Sequence, residues 1–161
     1  MTLRNLCAAF AISALAGTAA TAQSDFQPST TVRQYAPRLV ELMSSAQLQH
    51  LKLWFAGKSK NWELAAYELR QLTDSLTQAA ILYPGIPVSN VTTMEEPLLS
   101  IADAIETRDG RKFAASMRGL TDGCNACHTS LGRSFIAMAI PTDQEPPANQ
   151  IFSPSRKAQN K

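Results

Sequence analysis

The sequence predicts an all-α protein built as an antiparallel four-helix bundle. Three observations carry this. Apolar residues recur at three- and four-residue spacing in four separate stretches. The links between those stretches hold proline, glycine and capping residues. Leucine and alanine dominate, while aromatic residues make up only 7% of the chain. Leu and Ala lose little on entering a helix, and amphipathic helices joined by short links pack beside their neighbours in sequence. A length of 161 residues suits one domain.

Residues 1–22 stand apart. Arg4 gives a positive start, residues 6–17 are apolar and uncharged, and Ala20-Thr21-Ala22 has the small-x-small form of a cleavage site. This pattern is that of a secretory signal peptide, with a mature start at Gln23 and a periplasmic destination. Cys7 lies in that leader, so both remaining cysteines belong to the mature part. Residues 23–140 form the helical domain, opening on a polar leader at 23–31. Residues 141–161 form an irregular tail with Pro141, Pro146, Pro147 and Pro154, in which Ile151 and Phe152 are apolar islands suited to docking.

The first helix is predicted over residues 32–56. Tyr35, Leu39, Leu42, Met43, Ala46, His50, Leu53 and Trp54 share one stripe, Pro37 fits the first turn, and Gly57 is read as the stop. Asn61 is the expected N-cap of the second helix. Its buried side is Trp62, Ala65, Ala66, Leu69, Leu72, Leu76, Ala79 and Ala80, and Tyr83-Pro84-Gly85 ends it. Residues 84–90 hold two prolines and a glycine and read as a crossover loop. Thr93-Met94-Glu95-Glu96 has the form of a capping box for the third helix, which buries Leu98, Ile101, Ala102 and Ile105, with Gly110 expected just past its end. The fourth helix carries the strongest stripe: Phe113, Met117, Leu120, Cys124, Cys127, His128, Leu131 and Phe135.

That last stripe contains Cys124-Asn125-Ala126-Cys127-His128. The form C-x-x-C-H is the attachment signature of c-type haem. Two cysteines three apart lie on one helix face and can each add to a haem vinyl group; the adjacent imidazole can bind iron. Two other readings exist. A redox dithiol wants a strand-to-helix junction. A zinc site wants two more ligands nearby, and His50 is the only other histidine. The haem reading makes one covalent haem c the cofactor, attached to the C-terminal helix. A formal charge of +2 is too small to argue for nucleic acid or a membrane surface. No apolar run of the mature region is long enough to span a bilayer.

A haem motif near the end of a four-helix chain resembles the class II c-type cytochromes, meaning cytochrome c′ and its six-coordinate relatives. The resemblance covers residues 32–135. The segments from His50 to Gly57 and from Asn61 to Glu68, with Asn149-Gln150-x-Phe152, are also similar to a group of small exported bacterial cytochrome-like proteins of undefined activity. The resemblance implies thioether anchors at Cys124 and Cys127 and a proximal iron ligand at His128. Class II relatives often pair through their first two helices, so the resemblance allows a homodimer. In six-coordinate members a methionine near the start of the first helix binds the other side of iron, and Met43 is the nearest match.

The distal position stays open among three choices. His50 lies on the buried stripe of the first helix and leads; a core histidine bonded to a polar neighbour is the alternative account of it. Met43 is the second candidate. An open iron is the third. Met117 shares a helix with His128 and is badly placed to reach the opposite face, and Met138 would have to fold back. Trp54 and Trp62 could line a haem pocket but better suit bundle core, and Arg118 and Arg133 could pair with haem propionates but better suit solvated cations. The missing side chain at Gly123 leaves room beside Cys124. A closed iron suits one-electron transfer to a redox partner protein, with iron cycling between Fe(II) and Fe(III). An open iron suits binding of a small gas, nitric oxide or carbon monoxide. An enzyme is the least supported class.

Overall fold

The computed structural model of the protein describes residues 36–142, 146 and 149–154. The segments expected as signal peptide and polar leader, Tyr35, and the basic end at Arg156, Lys157 and Lys161 lie outside the described residues. Among the described residues the chain is all-helical, with no strand: α1 Leu39–Lys58, α2 Trp62–Leu82, α3 Val88–Thr92, α4 Glu95–Glu106 and α5 Gly110–Ser130. The four long helices match the four stripes. α1 packs chiefly on α2, and α4 on α5. None of the described helices is long and apolar enough to cross a membrane.

The helix ends depart from expectation in a consistent way. Pro37 precedes α1, whose first turn is closed by Arg38 donating its backbone N–H and its Nε–H to the Glu41 carboxylate at 2.9 and 2.8 Å. Gly57 is no stop; it is buried within α1. Gly110 is no C-cap; it opens α5. The left-handed residues that end α1 and α4 are Lys60 (φ 57°) and Arg108 (φ 55°). At each, paired backbone bonds close the helix: Lys60 N–H to Gly57 O and Asn61 N–H to Ala56 O after α1, Arg108 N–H to Ile105 O and Asp109 N–H to Ala104 O after α4. This is the Schellman arrangement, and its two bonds satisfy carbonyls that would otherwise be orphaned. A third copy ends α5, with Gly132 at φ 68°. The helix therefore stops before Phe135, which is exposed.

Other caps also differ. Asn61 caps α2 as expected, accepting from Leu64 N–H at 3.2 Å. Thr93 does not cap α4; its hydroxyl donates back to Asn90 O, so no capping box forms. The segment read as a crossover loop is partly helical, because Pro87 sits just before α3, where its missing N–H costs nothing. Ala102 faces solvent and Ala104 takes the buried place beside Ile101 and Ile105.

Leu53, Ile101, Phe113, Met117 and Leu120 are the largest fully buried side chains. Phe113 lies between Trp54, stacked at 6.5 Å, and Trp62, edge-on at 6.0 Å. Its ring also presses on Gly57, where an added Cβ would stand 2.2 Å from it. Gly57 is thus a contact glycine. Gly57→Ala is expected to destabilise the protein by about 1–3 kcal/mol, since the ring is hemmed in by two indoles and cannot retreat. Gly123 makes a contrast. An added Cβ there would meet Met94 Sδ at 2.7 Å, the tip of a flexible side chain. Gly123→Ala should change stability by less than about 1 kcal/mol, helix propensity offsetting the shift of Met94. Urea midpoints for the two variants check this; equal midpoints would overturn it.

The tail returns to the bundle. Phe152 is buried against Phe55, with ring centroids 5.8 Å apart, and Ser153 O accepts from Asn61 Nδ2 at 3.3 Å. Ile151 stays exposed. Gln150 reaches Glu68, a buried carboxyl that also faces Lys52 at 3.9 Å. Burial raises the Glu68 pKa; Lys52 and Gln150 pull it part of the way back.

Candidate functional site

The site is the C-terminal part of α5 and the segment that follows. Asp109 starts the helix by accepting from the N–H groups of Arg111 at 2.9 Å and Lys112 at 3.0 Å, and these bonds hold its carboxyl below the usual range. The inward stripe is buried from Phe113 through Thr121. From Cys124 onward it is only half covered, and Phe135 and Ile136 lie exposed beside it. The bundle is sealed at one end of α5 and open along the other.

Cys124 and Cys127 are unpaired thiols in the last two turns of α5. Cys124 packs against the core cluster. Burial pushes its thiol up to about 11, and the neighbouring Cys127 adds to the rise. Burial raises Cys127 as well, with Asn90 of α3 pulling back by a hydrogen bond. Asn90 also donates to Ser130 Oγ at 2.8 Å, which ties α3 to the end of α5. A reactive redox dithiol has the opposite setting, a helix N-terminus and a lowered pKa. Nor does a group of three or more His, Cys, Asp or Glu suited to a metal ion gather among the described residues, whereas structural zinc takes four donors.

His128 is half-buried, and its Nδ1 lies 2.7 Å from Ile136 O. A carbonyl only accepts, so Nδ1 carries the proton and donates. In the neutral ring the lone pair is then on Nε2. Metal-binding histidines commonly have their second nitrogen engaged in this way, which fixes the ring and makes the free nitrogen more basic. The contact depends on the chain reversing at Gly132. Arg133 N–H donates to His128 O at 2.7 Å, and the segment then runs back along α5. Asn125 holds it there: Met138 N–H donates to Asn125 Oδ1 at 2.7 Å, and Asn125 Nδ2 donates to Met138 O at 3.0 Å.

His50 is 2% exposed, and its Nε2 lies 2.9 Å from Thr121 Oγ1. Thr121 donates its own proton to Met117 O at 2.8 Å, so its oxygen accepts from His50 Nε2–H. Burial depresses the His50 pKa to about 4, which leaves the ring neutral at pH 7. The structure brings His50 to α5 one turn before Cys124, with Nε2 engaged. Met43 is half-buried on α1, seven residues before His50; at helical pitch that is two turns back and about 20° around the same face. Met117 is fully buried in the core. Met138 lies beside Asn125, two residues past Ile136, whose carbonyl meets His128 Nδ1. Arg118 and Arg133 are exposed.

A c-type haem needs two unpaired thiols one turn apart, an imidazole with a free nitrogen, and apolar surface to cover. Cys124 and Cys127, His128, and Phe135 with Ile136 fit those needs. The room at Gly123 does not belong to that list, because Met94 fills it. Sequence reasoning missed Thr121, Asn125, Asn90 and the Ile136 carbonyl. Thr121 had a signal: it lies between Met117 and Cys124 on the same stripe. Gly132 had one too, as a glycine following a helical run. No protein-family model, no curated protein and no solved structure matches this chain.

Proposed function

We propose that this chain is an exported monohaem c-type cytochrome of the class II kind, carrying one electron in the periplasm. The observation that carries the reading is His128: its Nδ1 proton is committed to Ile136 O at 2.7 Å, which leaves Nε2 as a ligand nitrogen beside two unpaired thiols. When bound, the haem supplies one-electron exchange at iron. Cys124 and Cys127 anchor it through thioethers, and His128 Nε2 is the proximal ligand. Phe135 and Ile136, exposed beside them, offer apolar surface for the porphyrin to cover. Low polarity there and the engaged imidazole are what this chain contributes to the reduction potential.

The helices are proposed to run antiparallel. His50 meets Thr121, and Gly57 meets Phe113, so a step forward along α1 is a step back along α5. One heptad before His50 is Met43; one heptad after Thr121 is His128. The same register that sets His50 on Thr121 brings Met43 level with His128. This supports Met43 over His50 as the group on the distal side, with His50 held by Thr121 as part of the core.

Optical spectra of the exported protein test both statements. Low-spin bands that carbon monoxide leaves unchanged are expected, and Met43→Ala should turn them high-spin and gas-sensitive. His50→Ala should leave the spin state as it was. A high-spin wild type that takes up carbon monoxide would replace electron transfer with the gas-binding reading. A spin change in His50→Ala alone would move the ligand role to His50. Protein lacking haem bands would overturn the proposal.

A further inference from the structure

We infer that Asn125 is a positioning residue for the proximal histidine, acting through the backbone of the segment that follows α5. The inference rests on the haem reading above. Within the pentapeptide Asn125 is one of the two residues with no expected part in attachment. Its carboxamide nevertheless makes two bonds to one residue, accepting from Met138 N–H at 2.7 Å and donating to Met138 O at 3.0 Å. Both partners are main-chain atoms, so the grip is indifferent to the side chain at 138. Asn supplies one acceptor and two donors from a rigid plane, which is what a peptide unit presented edge-on requires.

The consequence lies two residues earlier. Ile136 O receives the His128 Nδ1 proton, and Ile136 sits between two fixed points. The first is the Gly132 reversal, where Arg133 N–H is bonded to His128 O. The second is Asn125 on Met138. Ile136 N–H is also tied to Arg133 O at 2.8 Å, which leaves the carbonyl little freedom except to face the imidazole. Without Asn125 the next hold past Ile136 lies at Ile140, packed on the core cluster, and at buried Pro141. Between Gly132 and Met138 the segment is exposed through Phe135 and Ile136, so Asn125 is the hold nearest the Ile136 carbonyl on that side. Asn125 thus sets how strongly His128 Nδ1–H is engaged. A well-engaged imidazole is a stronger donor to iron and favours the ferric state.

The test compares exported holoprotein of wild type, Asn125→Ala, Asn125→Ser and Met138→Leu. Three readouts are taken: covalent haem per chain, reduction potential, and exchange of the His128 Nδ1 proton in the haem-shifted proton spectrum. Haem content is expected to stay near one per chain in all four. Asn125→Ala and Asn125→Ser should raise the potential by roughly 59 mV, a tenfold change in the ferric-to-ferrous balance, and should speed Nδ1 exchange about tenfold. Met138→Leu should match wild type. Equal potentials and exchange rates in wild type and in whichever Asn125 variant exports as holoprotein would overturn the inference while leaving the haem reading intact. A change in Met138→Leu as large as in the Asn125 variants would also overturn it. A wild type without covalent haem would overturn both.

Discussion

Replacing both Cys124 and Cys127 with alanine is expected to abolish the colour that survives denaturation and acidic organic extraction. In the proposed attachment each thiol makes one thioether, so either single variant should keep one bond and some non-extractable colour. The double variant should keep none. Stability should fall with it. The stripe on α5 is half-covered from Cys124 onward, and Phe135 and Ile136 are exposed. Covering one such side chain is worth roughly 1.5–3 kcal/mol, so the loss should be at least about 2 kcal/mol. Urea unfolding of wild type against the double variant measures it. Identical midpoints would mean that nothing large covers that surface.

Acid is expected to weaken the fold through His50, by on the order of 3 kcal/mol between pH 7 and pH 4. The ring is buried and its pKa is lowered to about 4 by desolvation, against 6.5 for an ordinary histidine. In that interval the unfolded chain binds a proton that the folded chain refuses. Stability therefore falls as pH drops below 6.5 and the loss levels off once the folded pKa is passed. Glu68 acts in the other direction, because burial raises its pKa and protonation relieves that cost. Comparison with His50→Gln cancels the Glu68 contribution. Gln can still donate to Thr121 and does not titrate. Its stability should be flatter over pH 4–7; a slope equal to wild type would remove His50 as the acid-sensitive group.

The helices were legible because each needs only a stripe. Leu42, Ala46, His50, Leu53 and Trp54 are buried as their spacing predicts. The ends were not legible from glycine alone. A non-glycine residue in the left-handed region costs about 1–2 kcal/mol, which makes Gly57 and Gly110 the natural stops on paper. Lys60 and Arg108 bear that cost instead, each recovered by two backbone bonds, while Gly57 is spent on the approach of Phe113. Which glycine is a turn and which is a contact depends on a partner 56 positions away, and local sequence does not encode that. The candidate site divides likewise. Cys124, Cys127 and His128 are contiguous and so stand out. The grip of Asn125 on Met138 and the bond from His128 to Ile136 span 13 and 8 positions and exist only because the chain reverses at Gly132.

The packing of Phe113 among Trp54, Trp62 and Gly57 also gives this molecule uneven rigidity along its length. Backbone amides around that aromatic knot are expected to exchange with deuterium only when the whole structure opens, and those from Cys124 to Ser130 by fraying of the end of α5. A chain of this kind can be firmly folded at one pole while the other remains accessible to an outside catalyst.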